Sequence, residues 1–358
     1  MKSWSWVLLV LFCIVIKWIS LYPGLVERYY TYGIYPVIVA IQRSVLGWIP
    51  FSVGDLFYAF LVLVLIYRVG GFIRLAIKRQ LNRQYFIKAL QQGIFFFLFI
   101  YVTFNLLWGL NYNRQGIAVQ LGLKVQRYTL ADLDTLTKTL KSRLNVYAEQ
   151  AGPERRDSIR KKKDLFRESA TMYEGVSKQY PFLAYSPRSL KPSIFSYLGN
   201  YLGFQGYYNP FSGEAQVNTT IPQFLEPFVS LHEIAHQLGY GKENEANFVA
   251  FLAGRQSHLP VFRYSMYFDM FNYSYGEVRR RDTTMANALR EGLHPVIIAD
   301  IREQRDFYQR HRNPVENFVS WGYGNFLKAN NQPGGKETYN EVVAWLIAYY
   351  KKFGVEAL

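Results

Sequence analysis

The residues of this chain whose types and spacing best support chemistry are two histidines and a glutamate within one short segment. The segment reads His232-Glu233-Ile234-Ala235-His236, an H-E-x-x-H pattern. Histidines four residues apart project from one face of a helix, so both imidazoles can reach one Zn²⁺. Glu233 can then take a proton from water in the open coordination position of the metal. The pattern predicts zinc-dependent hydrolysis of peptide bonds, with His232 and His236 as ligands and Glu233 as general base.

The residues around this motif predict the helix that would carry it. Pro227 is typical of a first helical turn, and Gly239 and Gly241 can end the helix after the second histidine. The chain has only five histidines, so a metal site explains their spacing better than chance does. Apolar side chains within the segment would pack into a core: Phe228, Val229, Leu231, Ala235 and Leu238.

A catalytic zinc usually has three protein ligands, so a third one must follow the two histidines. A solution with a third histidine six residues after His236 is disfavoured, because Lys242 stands there and a protonated lysine does not bind zinc. The remaining solution is a glutamate on a following helix, which the sequence predicts over residues 242–253. Glu243 and Glu245 both fit. The small residues that share a face with Glu243 favour it slightly, whereas the short connection between the helices favours Glu245, and both stay open.

Several segments together resemble a bacterial membrane-protein family, the domain of unknown function numbered 3810. They are residues 232–239, 243–248, 108–114, 206–218 and 326–330. That family is similar to the zincin metallopeptidases of the thermolysin-like type, in which a glutamate is the third ligand. The resemblance covers nearly the whole chain and implies a metallopeptidase-like site, but no substrate.

The resemblance also implies roles for individual residues. Glu243 and Asn247 match an E-x-x-A-D/N pattern of zinc peptidases, in which Asn247 would orient a histidine ligand. Residues 214–220 would form an edge strand that pairs with the extended backbone of the substrate. A second donor for the oxyanion is expected, and Tyr207 and Tyr208 are candidates, although packing is the commoner role of such aromatic residues.

An alternative function is zinc binding without peptide hydrolysis. A membrane-anchored sensor or assembly factor could bind zinc and peptides without turnover. The presence of Glu233 argues against it, because a binding protein needs no general base. A transporter is disfavoured because the apolar stretches contain few charged residues, namely Lys17, Asp55 and, near the end of the second stretch, Arg68.

The first 110 residues differ in composition from the rest of the chain. Three apolar stretches, residues 4–21, 51–69 and 93–110, are each close to the length that crosses a hydrocarbon core. They predict an α-helical membrane anchor over residues 1–110, in contact with the lipid bilayer. Residues 34–49 are also apolar, but prolines and polar residues interrupt them, so an interfacial or re-entrant helix is expected there.

Basic residues predict the orientation of the anchor. Residues 70–92 contain five Lys or Arg residues and no acid, whereas residues 22–50 contain two Arg residues and Glu27. The positive-inside rule therefore places residues 70–92 in the cytoplasm. We expect a multi-pass protein of the bacterial inner membrane, with residues 111–358 facing the periplasm or the outside.

Residues 111–358 are enough for one domain with a sizeable core. Helices are predicted over residues 129–151 and 154–179, and residues 191–222 predict loops and short strands. The expected fold is an α+β, zincin-like and mostly helical soluble domain with a short edge-strand sheet. The net charge of +15 is scattered along the chain, so we expect no nucleic acid as partner, only lipid and a peptide or protein substrate.

Overall fold

The computed structural model describes residues 3–330 and 339–358 of the chain. The structure is mainly helical, with one small sheet, as expected. The α-helices are α1 (Ser3–Ser20), α2 (Pro23–Leu25), α3 (Tyr35–Leu46), α4 (Val53–Ile77), α5 (Arg83–Leu107), α6 (Ile117–Gln120), α7 (Leu130–Gln150), α8 (Lys162–Ser177), α9 (Ser196–Leu202), α10 (Glu226–Gln237), α11 (Glu243–Gly254), α12 (Pro260–Arg281), α13 (Thr283–Arg290), α14 (Pro295–His311), α15 (Pro314–Ala329) and α16 (Tyr339–Phe353). A π-helical segment (Val26–Ile34) joins α2 to α3, and 3-10 turns occupy Gly109–Asn113, Pro153–Ile159, Pro181–Leu183, Gln223–Leu225 and Val355–Ala357.

Two helices, α4 and α5, are each 25 residues long and apolar enough to cross a membrane. They contain most of the second and third predicted stretches, but their bounds differ. The predicted loop of residues 70–92 is mostly helical, and only residues 78–82 separate α4 from α5. Hydropathy alone missed this, because basic residues with good helix propensity extend both helices beyond their apolar parts. Ser52 and Asn82 cap the two helices, by accepting bonds from the backbone N–H groups of Asp55 and Tyr85.

The first predicted stretch forms α1, which by its own length and composition does not qualify as a membrane-crossing helix. Trp4–Ser20 and Pro23–Leu46 meet at an angle of 102°, and they qualify as a third crossing only if the bent pair is taken as one span. Most of the interrupted stretch at residues 34–49 forms α3. Along residues 34–49, one side is buried through Tyr35, Val39 and Arg43. The large apolar side chains exposed on the other side are Ile34, Val37, Ile41, Val45 and Trp48.

The predicted helix over residues 129–151 is confirmed as α7, which begins with a capping box between Thr129 and Asp132. The predicted helix over residues 154–179 is wrong in its first part. A 3-10 turn occupies Pro153–Ile159, and α8 begins only at Lys162. Arg156 explains the difference, because its guanidinium is buried against Asp300, with an Nη1–Oδ1 distance of 3.0 Å.

The sheet has three strands, β1 (Leu190–Pro192), β2 (Gly206–Asn209) and β3 (Glu214–Val217), in the order β1-β3-β2. β3 is parallel to β1 and antiparallel to β2, with Gly206 opposite Val217. The predicted strand at residues 214–220 therefore exists, but it is central and not an edge. Both of its sides are paired, and β2 forms the edge.

The first turn of α4 is fastened to this sheet. The backbone N–H groups of Gly54 and Val53 donate to the Glu214 carboxylate, with N–O distances of 2.6 and 3.2 Å. A helix N-terminus favours such an anion through its unpaired N–H groups and its dipole. The Asp55 carboxylate in turn accepts a bond from the backbone N–H of Ile194 (2.6 Å). One of the two apolar helices thus begins in direct contact with the sheet.

Candidate metal centre

The motif segment forms α10, a helix whose residues are almost all buried. Pro227 lies in its first turn, and Gly239 follows its end with φ of +84°, a conformation that glycine adopts without strain. This turn sends the chain into α11, which begins at Glu243 and packs against α10. The first turn of α11 therefore lies beside the last turn of α10.

Three side chains of these helices converge. The Nε2 atoms of His232 and His236 are 3.0 Å apart. The carboxylate of Glu243 lies 3.2 Å from the Nε2 atom of His232 and 3.7 Å from that of His236. All three candidate ligand atoms fall within 4.8 Å of one another. Two imidazole nitrogens and one carboxylate oxygen are the donor set of many catalytic zinc sites, which leave a fourth position to water.

Glu245, the other candidate for third ligand, lies away from this cluster. It is buried, and its carboxylate faces Gly116, where an added Cβ would lie 2.0 Å from Oε1. Burial raises the pKa of Glu245, although the charges of Lys242 and Arg114 oppose the rise. Side chains two positions apart on a helix point in different directions, so only one of the two glutamates can face α10.

Hydrogen bonds fix the orientation of both imidazoles. The Nδ1 atom of His236 lies 2.7 Å from the backbone oxygen of Tyr240, and that of His232 lies 2.7 Å from Oδ1 of Asn247. A carbonyl oxygen only accepts, so each Nδ1 donates to its partner, and each Nε2 faces the cluster as the ring atom that would bind a metal after losing its proton. The structure places Asn247 where a group that orients a ligand would act.

The electrostatics of the cluster favour an anionic Glu243. Burial alone would raise its pKa, but the charge of His236 and hydrogen bonds from both histidines hold the pKa well below its usual range. Burial also opposes the charged form of His236, but Glu243 outweighs this effect and raises the pKa of His236 to about 9. A metal ion would have to displace that proton from the ring.

Glu233 lies beside the cluster but outside the ligand set. Its side chain is buried, and burial raises its pKa to about 7 even though the two histidines act in the opposite direction. Among residues 3–330 and 339–358, its Oε2 atom has no hydrogen-bond partner. A carboxylate with a pKa near neutrality and a free oxygen is suited to accept and return a proton at neutral pH.

The edge strand β2 passes directly over Glu233. A Cβ added to Gly206 would lie 2.5 Å from Oε1 and 2.8 Å from the Cδ atom of Glu233. Glycine is therefore the residue that leaves room for the carboxylate.

We expect Gly206→Ala to displace the Glu233 carboxylate. For the peptide hydrolysis that the sequence predicts, the rate should fall by at least about tenfold, because small misplacements of a reacting group are costly. Zinc content, measured on the same preparation, should not change, because no proposed ligand moves. Gly276→Ala is the matched control, because nothing lies within 4 Å of its added Cβ. An unchanged rate in Gly206→Ala would contradict the placement of Glu233.

The tyrosines proposed as oxyanion donors make their contacts elsewhere. The Tyr207 hydroxyl donates to Asp55 in α4 and lies 3.4 Å from the Ser193 hydroxyl. The Tyr208 ring is buried against Trp108, with 5.1 Å between ring centroids. These contacts fasten β2 to the starting turn of α4 and to the residue that follows α5.

A different tyrosine reaches the cluster. The Tyr323 hydroxyl, on α15, donates to Oε1 of Glu243 with an O–O distance of 2.5 Å. Burial of the hydroxyl and the negative charge of Glu243 raise its pKa well above the usual range, so it stays a proton donor. Sequence reasoning missed Tyr323, which lies 80 residues after Glu243. The only signal near it was the resemblance of residues 326–330 to the family.

Donors from the first 110 residues bind the last carbonyls of α10. The Trp108 indole N–H donates to the backbone oxygen of His236 (3.0 Å). The Tyr35 hydroxyl (2.9 Å) and the Arg43 guanidinium both donate to the backbone oxygen of Gln237. The final carbonyls of a helix lack the usual partner within the helix. The His236 oxygen also accepts from the backbone N–H of Gly239 (3.0 Å), whereas the donors to the Gln237 oxygen are the side chains of Tyr35 and Arg43.

A family model described as "Protein of unknown function (DUF3810)" matches residues 30–347. This range contains all of the residues of the cluster and both apolar helices. Comparisons with curated proteins and with solved structures gave no significant match. The function of the chain must therefore be inferred from the geometry of the site.

Proposed function

The chain belongs to the DUF3810 family, and from that premise we propose that it is a membrane-anchored zinc metallopeptidase. The observation that carries the proposal is the convergence of His232, His236 and Glu243, with Glu233 beside them. We assign one Zn²⁺ per chain to these three ligands. The antiparallel helix pair with a glutamate from the second helix supports a zincin-like arrangement of the glutamate-ligand type.

The donor set fits zinc in charge and in kind. Two neutral imidazoles and one carboxylate suit Zn²⁺ better than they suit Mg²⁺ or Ca²⁺, which prefer oxygen ligands throughout. When bound, the ion would polarise the scissile carbonyl and lower the pKa of a water molecule. Glu233 would accept the proton of that water and pass it to the leaving amine. Tyr323 replaces Tyr207 and Tyr208 as the candidate donor to the oxyanion, because its hydroxyl is the one at the cluster.

The edge strand supports a peptide as the substrate. Within the part of the chain that the structure describes, β2 pairs with β3 on one side only, and its first residue, Gly206, lies against Glu233. An extended peptide that added to the free side of β2 would form main-chain hydrogen bonds and lie next to the general base.

The test is hydrolysis of a mixed peptide library by the purified full chain in lipid nanodiscs, with products identified by mass. We expect cleavage that a chelator abolishes and that added Zn²⁺ restores. Reagents for serine and cysteine should have no effect, because the proposed site uses neither residue and the one cysteine, Cys13, lies in α1. Stoichiometric zinc without any cleavage would favour the alternative, a zinc-binding sensor or assembly factor that binds peptides.

We propose that the protein lies in the bacterial inner membrane, with residues 111–358 outside the cytoplasm. The support is the cluster of basic residues around the turn between α4 and α5, which the positive-inside rule assigns to the cytoplasm. A reporter that is active only outside the cytoplasm, fused after Leu358, should be active in cells. Activity of a cytoplasmic reporter alone at this position would mean the opposite orientation.

A further inference from the structure

A group of large apolar side chains is exposed on α9, on α15 and just before α9. Phe318 and Trp321 on α15 are 71% and 67% exposed. The two helices pack together, and the Asn313 side chain before α15 donates to the backbone oxygen of Tyr201 (2.7 Å). We call the following residues the α9–α15 face: Ile194, Tyr197, Leu198, Val315, Phe318 and Trp321.

This face adjoins the ends of both apolar helices. The backbone N–H of Ile194 donates to Asp55 in the first turn of α4 (2.6 Å). The Phe326 ring of α15 lies 5.9 Å from the Phe104 ring in the last turn of α5. The start of α4 and the end of α5 are on the same side, because neighbouring residues of β2 contact them. The α9–α15 face therefore lies beside the level at which both helices would leave the hydrocarbon.

The charges of the face suit a lipid surface. α9 has no acidic residue, and the one acid of α15 is Glu316. The Glu316 side chain lies against Gly203, with its Cγ 3.1 Å from the position of an added Cβ, and so is turned toward α9. Lys328 is exposed on α15. Exposed Trp, Tyr and Phe side chains together with a cation are typical of the boundary between headgroups and acyl chains.

We propose that the α9–α15 face docks on the lipid bilayer at the headgroup level. The proposal rests on the membrane location given above, and continuity with α4 and α5 favours lipid over a protein partner. Tyr323, on the same helix as Phe318 and Trp321, touches Glu243. Docking would therefore hold the cluster of His232, His236 and Glu243 close to the bilayer surface.

Spin labels on single cysteines test the docking. In a Cys13→Ser background, full-length chains with Phe318→Cys or Trp321→Cys are labelled and placed in nanodiscs. Collisions with oxygen, which concentrates in lipid, are compared with collisions with a water-soluble nickel chelate. Leu63→Cys, exposed on α4, is the lipid control, and Lys138→Cys, exposed on α7, is the water control. We expect the labels at 318 and 321 to resemble the label at 63 and to differ from the label at 138.

Each of the other possible results would overturn a specific part of the proposal. Water-like labels at 318 and 321 with a lipid-like label at 63 would overturn the docking and leave the membrane location intact. Water-like labels at all positions would overturn the membrane location itself. Dipolar broadening between labels at 318 in two copies would assign the face to self-association and overturn lipid docking. None of these readings depends on zinc or on hydrolysis.

Discussion

Glu233→Gln is expected to retain one zinc per chain and to lose peptide hydrolysis by about 10²–10⁴-fold, the usual contribution of a general base. The amide has the shape of the carboxylate, so it fits beneath Gly206, but it cannot accept a proton from water. Glu233 lies outside the His232–His236–Glu243 cluster, so its replacement leaves the ligands in place. Zinc content by metal analysis and initial rates on a cleaved library peptide measure the two effects separately.

Glu226→Gln provides a matched control on the same helix. Glu226 is also buried, and burial raises its pKa to about 7, but its carboxylate pairs with Lys162 (2.6 Å) and does not face the cluster. This variant should keep the parent rate. If Glu233→Gln cut as fast as the parent, Glu233 would not be the base, whatever the zinc content.

The second large effect concerns the metal itself. His236→Ala and Glu243→Gln should each lower zinc affinity by more than the ~10–100-fold that is typical of losing an outer partner of a ligand. Asn247→Ala, which removes the acceptor for the Nδ1 proton of His232, should fall within that smaller range. Competition with a chelator of known affinity measures all three variants.

Two controls make the assignment of the third ligand decisive. Glu245→Gln alters a buried glutamate two residues from Glu243 that faces Gly116, so it should keep its zinc. His258→Ala removes a histidine outside the cluster and should do the same. Loss of zinc in Glu245→Gln with retention in Glu243→Gln would show that the arrangement of α10 and α11 is wrong.

The parts of the site that the sequence could predict are local ones. The helix of the motif and the helix that follows it depend on residues within one or two turns, such as Pro227 and Gly239. The predicted helix over residues 129–151, confirmed as α7, is equally local, because it begins at a capping box. The choice between Glu243 and Glu245 could not be made, because it depends on the rotation of α11 against α10, which packing with α8, α12 and α16 determines.

Long-range features were beyond the sequence for the same reason. Residues 214–220 show the alternation of a strand, but nothing in them shows that β1 and β2 pair on both sides. Tyr323 reaches Glu243 only because α15 returns to the cluster from another part of the chain. Tyr207 and Tyr208 are candidates through their Gly-Tyr-Tyr-Asn-Pro segment, whereas the structure places them against the first turn of α4 and against Trp108.

The donors that bind the last carbonyls of α10 have a consequence for how the protein can be studied. Tyr35, Arg43 and Trp108 all precede residue 111, so a fragment of residues 111–358 would lack every one of them. The Gln237 oxygen would lose both of its side-chain donors. A buried carbonyl left without a donor costs about 1–3 kcal/mol, against a total stability of only about 5–15 kcal/mol for a typical domain. The carboxylate of Glu214 would also lose the N-terminus of α4. Residues 111–358 are therefore expected to be less stable without residues 1–110, so the full chain is the form to express and purify.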